Sequence, residues 1–96
     1  MSNPFNYSQL YKLIDNTTNK VFIGSTTLES LNRRLCEHRR RYTQYQAGKA
    51  PWTVDFEIIK NNNYRIEFIE NYKCNRRKEL RQRELYWIDK IECINK

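Results

Sequence analysis

The sequence is poor in the residues that punctuate and staple small folds. Its 96 residues hold only two glycines, Gly24 and Gly48, and two prolines, Pro4 and Pro51. That scarcity excludes a linker-rich or collagen-like chain. There is one histidine, His38, and the three cysteines, Cys36, Cys74 and Cys93, form no Cys-x-x-Cys pair. Zinc-finger ligands cannot be assembled from these, so no structural zinc is expected, and an odd cysteine count argues against a disulfide framework. The thiols read as reduced and mostly packed, as in an intracellular protein that is not secreted. The opening "MSNPFNYSQL" lacks the apolar core of a signal peptide, and no apolar run approaches membrane-spanning length. Internal repeats and low-complexity tracts are also lacking.

What the chain has in quantity is positive charge and aromatic rings. Lys plus Arg number 18 against 11 Asp plus Glu, a formal net charge of +7. A basic domain with clustered arginines implies a polyanionic partner, and the competing reading is a merely solvated surface. Seven tyrosines, four phenylalanines and two tryptophans supply core mass for one modest domain. Residues 1–7 read as a loose tail ahead of a single domain over 8–96.

"SQLYKLI" and "KVFIG", separated by the turn-forming "DNTTN", predict a β-hairpin. Pairing Ile14 with Val21 sets Leu13 against Phe22 and Tyr11 against Gly24 on one sheet face. Thr26 with Glu29 reads as a capping box opening a long helix, with Leu28, Leu31, Leu35 and Tyr42 as its buried stripe. That helix runs past Tyr45 and stops before Gly48 and Pro51. "APWTVD" is a loop, and "FEIIK" fits a helical turn or a strand. "YRIEFIENY", with Tyr64, Ile66 and Phe68 alternating onto one face, is a third strand. Asn75 is expected to cap a last helix over "RRKELRQRELYWIDKI".

Two helices point chemistry at the same region. At 100° per residue Arg34, His38, Arg41 and Tyr45 share one flank of the first helix. Arg34 and His38, four residues apart, suit gripping one anion, although a solvated arginine and a half-buried histidine fit that spacing too. On the last helix Glu84 falls within the apolar stripe of Leu80, Trp87, Ile88 and Ile91. A carboxylate there needs a partner, either an arginine (Arg34 among the choices) or a cation in a cleft.

These residues, in this order, resemble the GIY-YIG nucleases. Gln9-Leu10-Tyr11 stands where Gly-Ile-Tyr is usual, and Phe22-Ile23-Gly24 where Tyr-Ile-Gly is usual. "LNRRLCEH" matches the family's Leu-x-x-Arg-x-x-x-His helix, "RELYWIDKI" its glutamate helix, and "INK" its asparagine-bearing segment. "YRIEFIENYKC" followed by "KELRQRE" is most like the GIY-YIG domains of large DNA viruses. The resemblance covers about residues 8–96. It implies an α/β sandwich whose three-stranded, mainly antiparallel sheet is flanked by helices. It also implies an endonuclease that hydrolyses DNA phosphodiesters with one divalent metal, Mg²⁺ or Mn²⁺. Within it, Tyr11 would position or deprotonate the attacking water, helped by Lys20. Arg34 would hold the scissile phosphate, and His38 would bond to a tyrosine hydroxyl or to the nucleophile's network. Glu84 would hold the metal, Asn95 would fix the geometry by hydrogen bonding, and Gly24 would leave room for Tyr11 and a phosphate.

Two departures stand out. Gln9-Leu10 in place of Gly-Ile is mild. Phe22 in place of the second motif tyrosine removes a hydroxyl from a site built on few groups. That opens an alternative: a catalytically weakened nucleic-acid-binding module on the same fold. A basic domain that binds an acidic protein is the third reading. Arg33, Arg39, Arg40, Arg41, Lys49, Arg76, Arg77, Lys78 and Arg81 are the candidates for phosphate contact, either as a backbone-tracking surface or as ordinary solvated charges. The chain stops just after "INK", as a piece of a longer protein with further domains would.

Overall fold

Turn chemistry and alternation build the hairpin in the expected register. Strands β1 (Gln9–Asp15) and β2 (Val21–Thr26) run antiparallel, with Ile14 opposite Val21, Leu13 opposite Phe22 and Tyr11 opposite Gly24. Asp15 closes the turn, accepting from the Thr17 amide at 2.9 Å and from Asn61 Nδ2 at 2.5 Å. Burial pushes its carboxyl upward, but these bonds outweigh burial and hold it well below the usual carboxylate range. Asn19, at φ 62°, supplies the left-handed step of the turn.

The computed structural model describes residues 3–95. Strand β3 (Tyr64–Asn71) pairs with the far side of β1, giving an antiparallel sheet of order β2-β1-β3. The fold is α/β, a three-stranded antiparallel sheet with helices on both faces. A register shift at Leu10/Tyr11 breaks the alternation anticipated for β3. Tyr64 and Ile66 pack inward as expected, whereas Phe68, opposite Tyr11, is 53% exposed, and Ile69 packs on the other sheet face with Leu10 and Ile23.

Helix α1 spans Leu31–Gln46. Its cap is Ser30, whose Oγ accepts from the Arg33 amide at 3.3 Å, not Thr26. Thr26 ends β2 and accepts from the Leu28 amide, so Leu28 lies in the connecting loop and not on the helical stripe. Leu31, Leu35 and Tyr42 pack against Tyr11, Leu13, Ile58 and Ile59. "FEII" resolves as the helical turn α2 (Phe56–Ile59), which buries Phe56, Ile58 and Ile59 and ends near Asn62 at φ 52°.

Helix α3 (Arg77–Lys90) covers the opposite sheet face, seating Leu80, Trp87 and Ile88 on Leu10 and Ile23. Its N-cap is Arg76, without a side-chain bond. Asn75, expected as the cap, instead accepts from Asn3 Nδ2 at 3.1 Å. The same Asn3 amide reaches the Cys74 carbonyl at 2.8 Å, and Phe5 packs with Leu10, Cys74 and Leu80. Residues 3–7 therefore form an anchored 3-10 turn, Pro4–Tyr7, where a loose tail was expected. Residues 1 and 2 of that tail, and Lys96, lie outside the described residues. Among the described residues, no helix is long and apolar enough to cross a membrane.

The free edge of β2 is occupied by the closing segment. Ile94 N–H donates to the Val21 carbonyl at 2.7 Å. The Asn95 side-chain amide then pairs with Ile23 on both sides, Nδ2 to the carbonyl at 2.8 Å and Oδ1 from the amide at 3.2 Å. A side chain thus satisfies the edge groups that a fourth strand would otherwise take.

Candidate active site

Three elements converge on the hydroxyl of Tyr11: β1, β2 and α1. The β1 strand points this fully buried ring toward α1, under Gly24. A Cβ at Gly24 would lie 2.9 Å from Tyr11 Cε2 and closer still to Cζ and the hydroxyl. Gly24 is therefore needed for space, which fits the reason anticipated for a glycine there. The His38 ring approaches edge-on, its Nε2 2.7 Å from the Tyr11 hydroxyl. Arg34, one turn earlier on α1, donates Nε–H to the same oxygen at 3.0 Å and Nη1–H to Glu37 at 3.0 Å. The i, i+4 pair of the sequence thus grips one tyrosine oxygen.

Behind His38 stands Asp55, at the start of α2. Its Oδ2 lies 2.8 Å from His38 Nδ1, and its Oδ1 accepts from Thr53 Oγ1 at 2.5 Å. Both partners of this hydrogen bond are almost completely buried. Burial pushes the Asp55 carboxyl upward, but the bonds from His38 and Thr53 outweigh it and hold it below its usual range. Tyr11 behaves in the opposite way. Burial pushes its phenol up to about 12, against the opposing pull of the Arg34 guanidinium. Asp55 was not anticipated as a site residue. The one signal for it in the sequence is a carboxylate embedded in the apolar stretch "VDFEII".

A cleft of about 520 Å³ runs along the β2 edge, lined among others by Phe22, Arg41, Asp55, Arg81, Glu84 and Asn95. Phe22 and Asp55 both line it and both contact His38, Phe22 through an edge-to-face ring contact at 6.0 Å. The tyrosine network therefore lies one layer beneath the cleft. Glu84 meets it from α3, with Oε2 accepting from Ser25 Oγ at 2.7 Å and Oε1 paired with Arg81. Its side chain is 14% exposed, and its charge is felt at Tyr11. The arginine partner of Glu84 is thus Arg81, not Arg34, which is committed to Tyr11 and Glu37.

Glu84 offers a single carboxylate to the cleft, with Ser25 on one oxygen and Arg81 on the other. The guanidinium already occupies the place a cation would take. Among the described residues no group of three or more His, Cys, Asp or Glu forms a cage. A bound ion would rely on water and substrate oxygens for its other ligands, as Mg²⁺ tolerates.

Lys20 is not brought to Tyr11. It sits exposed at the turn end of the hairpin, four residues from Gly24, and its charge acts on Glu57. The basic candidates are dispersed. Arg41 enters the cleft. Arg39 donates to Tyr64 Oη at 2.7 Å on the β3 side, and the Arg77 guanidinium lies 5.7 Å from the Phe5 ring centre. Arg33 and Arg40 border a shallow depression beside Cys36. Lys49, Arg76 and Lys78 are simply exposed. No protein-family model, curated protein or solved structure matches this chain.

Proposed function

We propose that this domain is a divalent-metal-dependent DNA endonuclease that hydrolyses phosphodiester bonds, as its resemblance to the GIY-YIG nucleases implies. The observation that carries the reading is the Tyr11 hydroxyl held between His38 Nε2 and Arg34 Nε, with Glu84 and Asn95 in the adjoining cleft. A phenol with its pKa pushed to about 12 cannot act as a base at neutral pH without help. His38 supplies that help by taking the phenolic proton, and Arg34 holds the oxygen left behind. The Tyr11 oxygen then accepts a proton from the attacking water, which must enter past Arg34 because Tyr11 itself is fully buried. Arg34 roofs Tyr11 with its side chain 22% exposed, so it can turn from Glu37 to a phosphate oxygen. Glu84 is the residue to hold Mg²⁺ or Mn²⁺, which when bound supplies charge neutralisation at the phosphate. Arg41 and Arg81 flank the entry for the polyanion.

Plasmid nicking with Mg²⁺ or Mn²⁺, compared with EDTA, tests the reading; no nicking with either metal overturns it. A second reading is favoured by Phe22. It lines the cleft where a motif tyrosine would add a hydroxyl, as in a domain that binds nucleic acid and cuts it weakly. Binding with a steep salt slope, lowered by Arg76→Ala with Arg77→Ala, would support that reading if nicking fails.

A further inference from the structure

We infer that Asp55 is a positioning residue that fixes the tautomer of His38, so that Nε2 is the nitrogen able to accept the Tyr11 proton. The inference rests on the nuclease reading for its catalytic consequence, but the tautomer it assigns can be measured without any reaction.

The argument starts from what each atom can do. An ionised carboxylate only accepts hydrogen bonds, so Asp55 Oδ2 at 2.8 Å requires a proton on His38 Nδ1. In the neutral imidazole that leaves a lone pair on Nε2, 2.7 Å from the Tyr11 hydroxyl, which donates to it. Arg34 Nε–H fills an acceptor site on the same oxygen at 3.0 Å. Now let the proton pass. The O–H bond of Tyr11 breaks and an N–H forms on Nε2. The imidazolium then donates to Asp55 and to the phenolate, and Arg34 donates as before. Every hydrogen bond survives the transfer with no side chain moved. The opposite tautomer would have Nε2–H and Arg34 both donate to the Tyr11 oxygen, leaving its buried O–H without a partner and a lone pair facing the carboxylate.

Asp55 precedes α2 with helical backbone angles, φ −61° and ψ −23°, and makes no side-chain cap bond. Its carboxylate oxygens go to His38, 17 residues away, and to Thr53. The charged groups acting on the relay are Arg34 from α1 and Glu84 from α3, besides Asp55 itself. Lys20, placed by resemblance in the helper's role, is remote from Tyr11, and the Asp55–His38 pair takes that role.

His38 is the sole histidine of the chain, so its imidazole ¹⁵N resonances need no assignment. In the full chain at neutral pH, the expected spectrum shows Nδ1–H with Nε2 unprotonated. Asp55→Asn can present its amide N–H to Nδ1, so the proton should move to Nε2. Single-turnover cleavage should then fall at least about a hundredfold with DNA affinity unchanged, since the wrong imidazole tautomer blocks proton acceptance. Asp55→Glu should restore the tautomer and part of the rate. A wild-type spectrum with Nε2–H overturns the inference, as does Asp55→Asn cutting at the parent rate after its tautomer has switched. If Asp55→Asn does not fold, the parent spectrum and Asp55→Glu still decide. A parent that shows Nδ1–H but cuts no DNA refutes the nuclease reading and leaves the tautomer assignment standing.

Discussion

Gly24→Ala and Gly48→Ala make a matched pair of one-methyl changes with different physics. At Gly24 the new Cβ meets the Tyr11 ring and hydroxyl, the nearest atoms inside 2.9 Å. Restoring van der Waals contact requires the ring to retreat by roughly 1 Å, into a core that is already filled. Overpacking of this kind costs about 1–3 kcal/mol, a drop of about 5–20 °C in melting temperature for a domain this size. The same shift stretches the 2.7 Å and 3.0 Å bonds that His38 and Arg34 make to the hydroxyl. Misplacement of a reacting group by about 1 Å costs on the order of a hundredfold in rate. At Gly48, φ is +76° and nothing lies within 4 Å of a new Cβ. Alanine there meets only backbone strain, about 1 kcal/mol, far from the site. Thermal melts and single-turnover cleavage should show both variants destabilised but only Gly24→Ala slowed beyond its loss of folded protein. A Gly24→Ala variant that melts and cuts like the parent would refute the close-packed reading of Tyr11.

Three further outcomes are expected. Glu84→Gln should abolish metal-dependent nicking while DNA affinity in EDTA holds or rises, because a carboxylate is lost from a basic cleft; full activity in the folded variant would remove Glu84 as the metal ligand. Phe22→Tyr should keep the melting temperature within a few degrees. It should raise cleavage about tenfold or more, the worth of one hydrogen bond to a charged group felt in the transition state, and a lower melting temperature with no gain in rate would place the ring in the core alone. The Tyr11 phenol, raised from 10 to about 12, is harder to ionise folded than unfolded. Its stabilisation is whole below pH 10 and is lost as pH rises toward 12, by about 2–3 kcal/mol over that window. Urea titrations of Tyr11→Phe should lack that alkaline loss, and a parallel decline in parent and variant would contradict the burial of Tyr11.

The hairpin could be read from the sequence because its register is set by a short turn and two apolar runs, information that is local. The stripes of α1 and α3 were legible for the same reason, since helical spacing places Leu35, His38 and Glu84 without knowledge of the sheet. Helix starts were harder. Thr26 and Ser30 are both competent caps, and only the length of β2 decides between them. Asp55 was invisible because its partner is 17 residues away on another element, and a loop aspartate before a helix is ordinarily a cap. The partner of Glu84 was left open, with Arg34 among the choices, whereas Arg81 takes it from three residues earlier on the same helix, a local pairing that the expectation of a cross-element partner passed over.

The clasp of Asn95 on Ile23 bears on the order in which the domain can assemble. Tyr11, Arg34, His38 and Asp55 lie within the first 55 residues and share one face of the sheet, so their contacts close modest loops. Glu84 and Asn95 reach the other side and the edge of β2 across separations of 59 and 72 residues. Such contacts come late, because long loops must close before they are rewarded. During synthesis the proton-handling half can form while the carboxylate that would take a metal is still in the ribosome. On the nuclease reading, such a nascent chain would hold its proton-handling groups before the carboxylate proposed to take the metal had emerged.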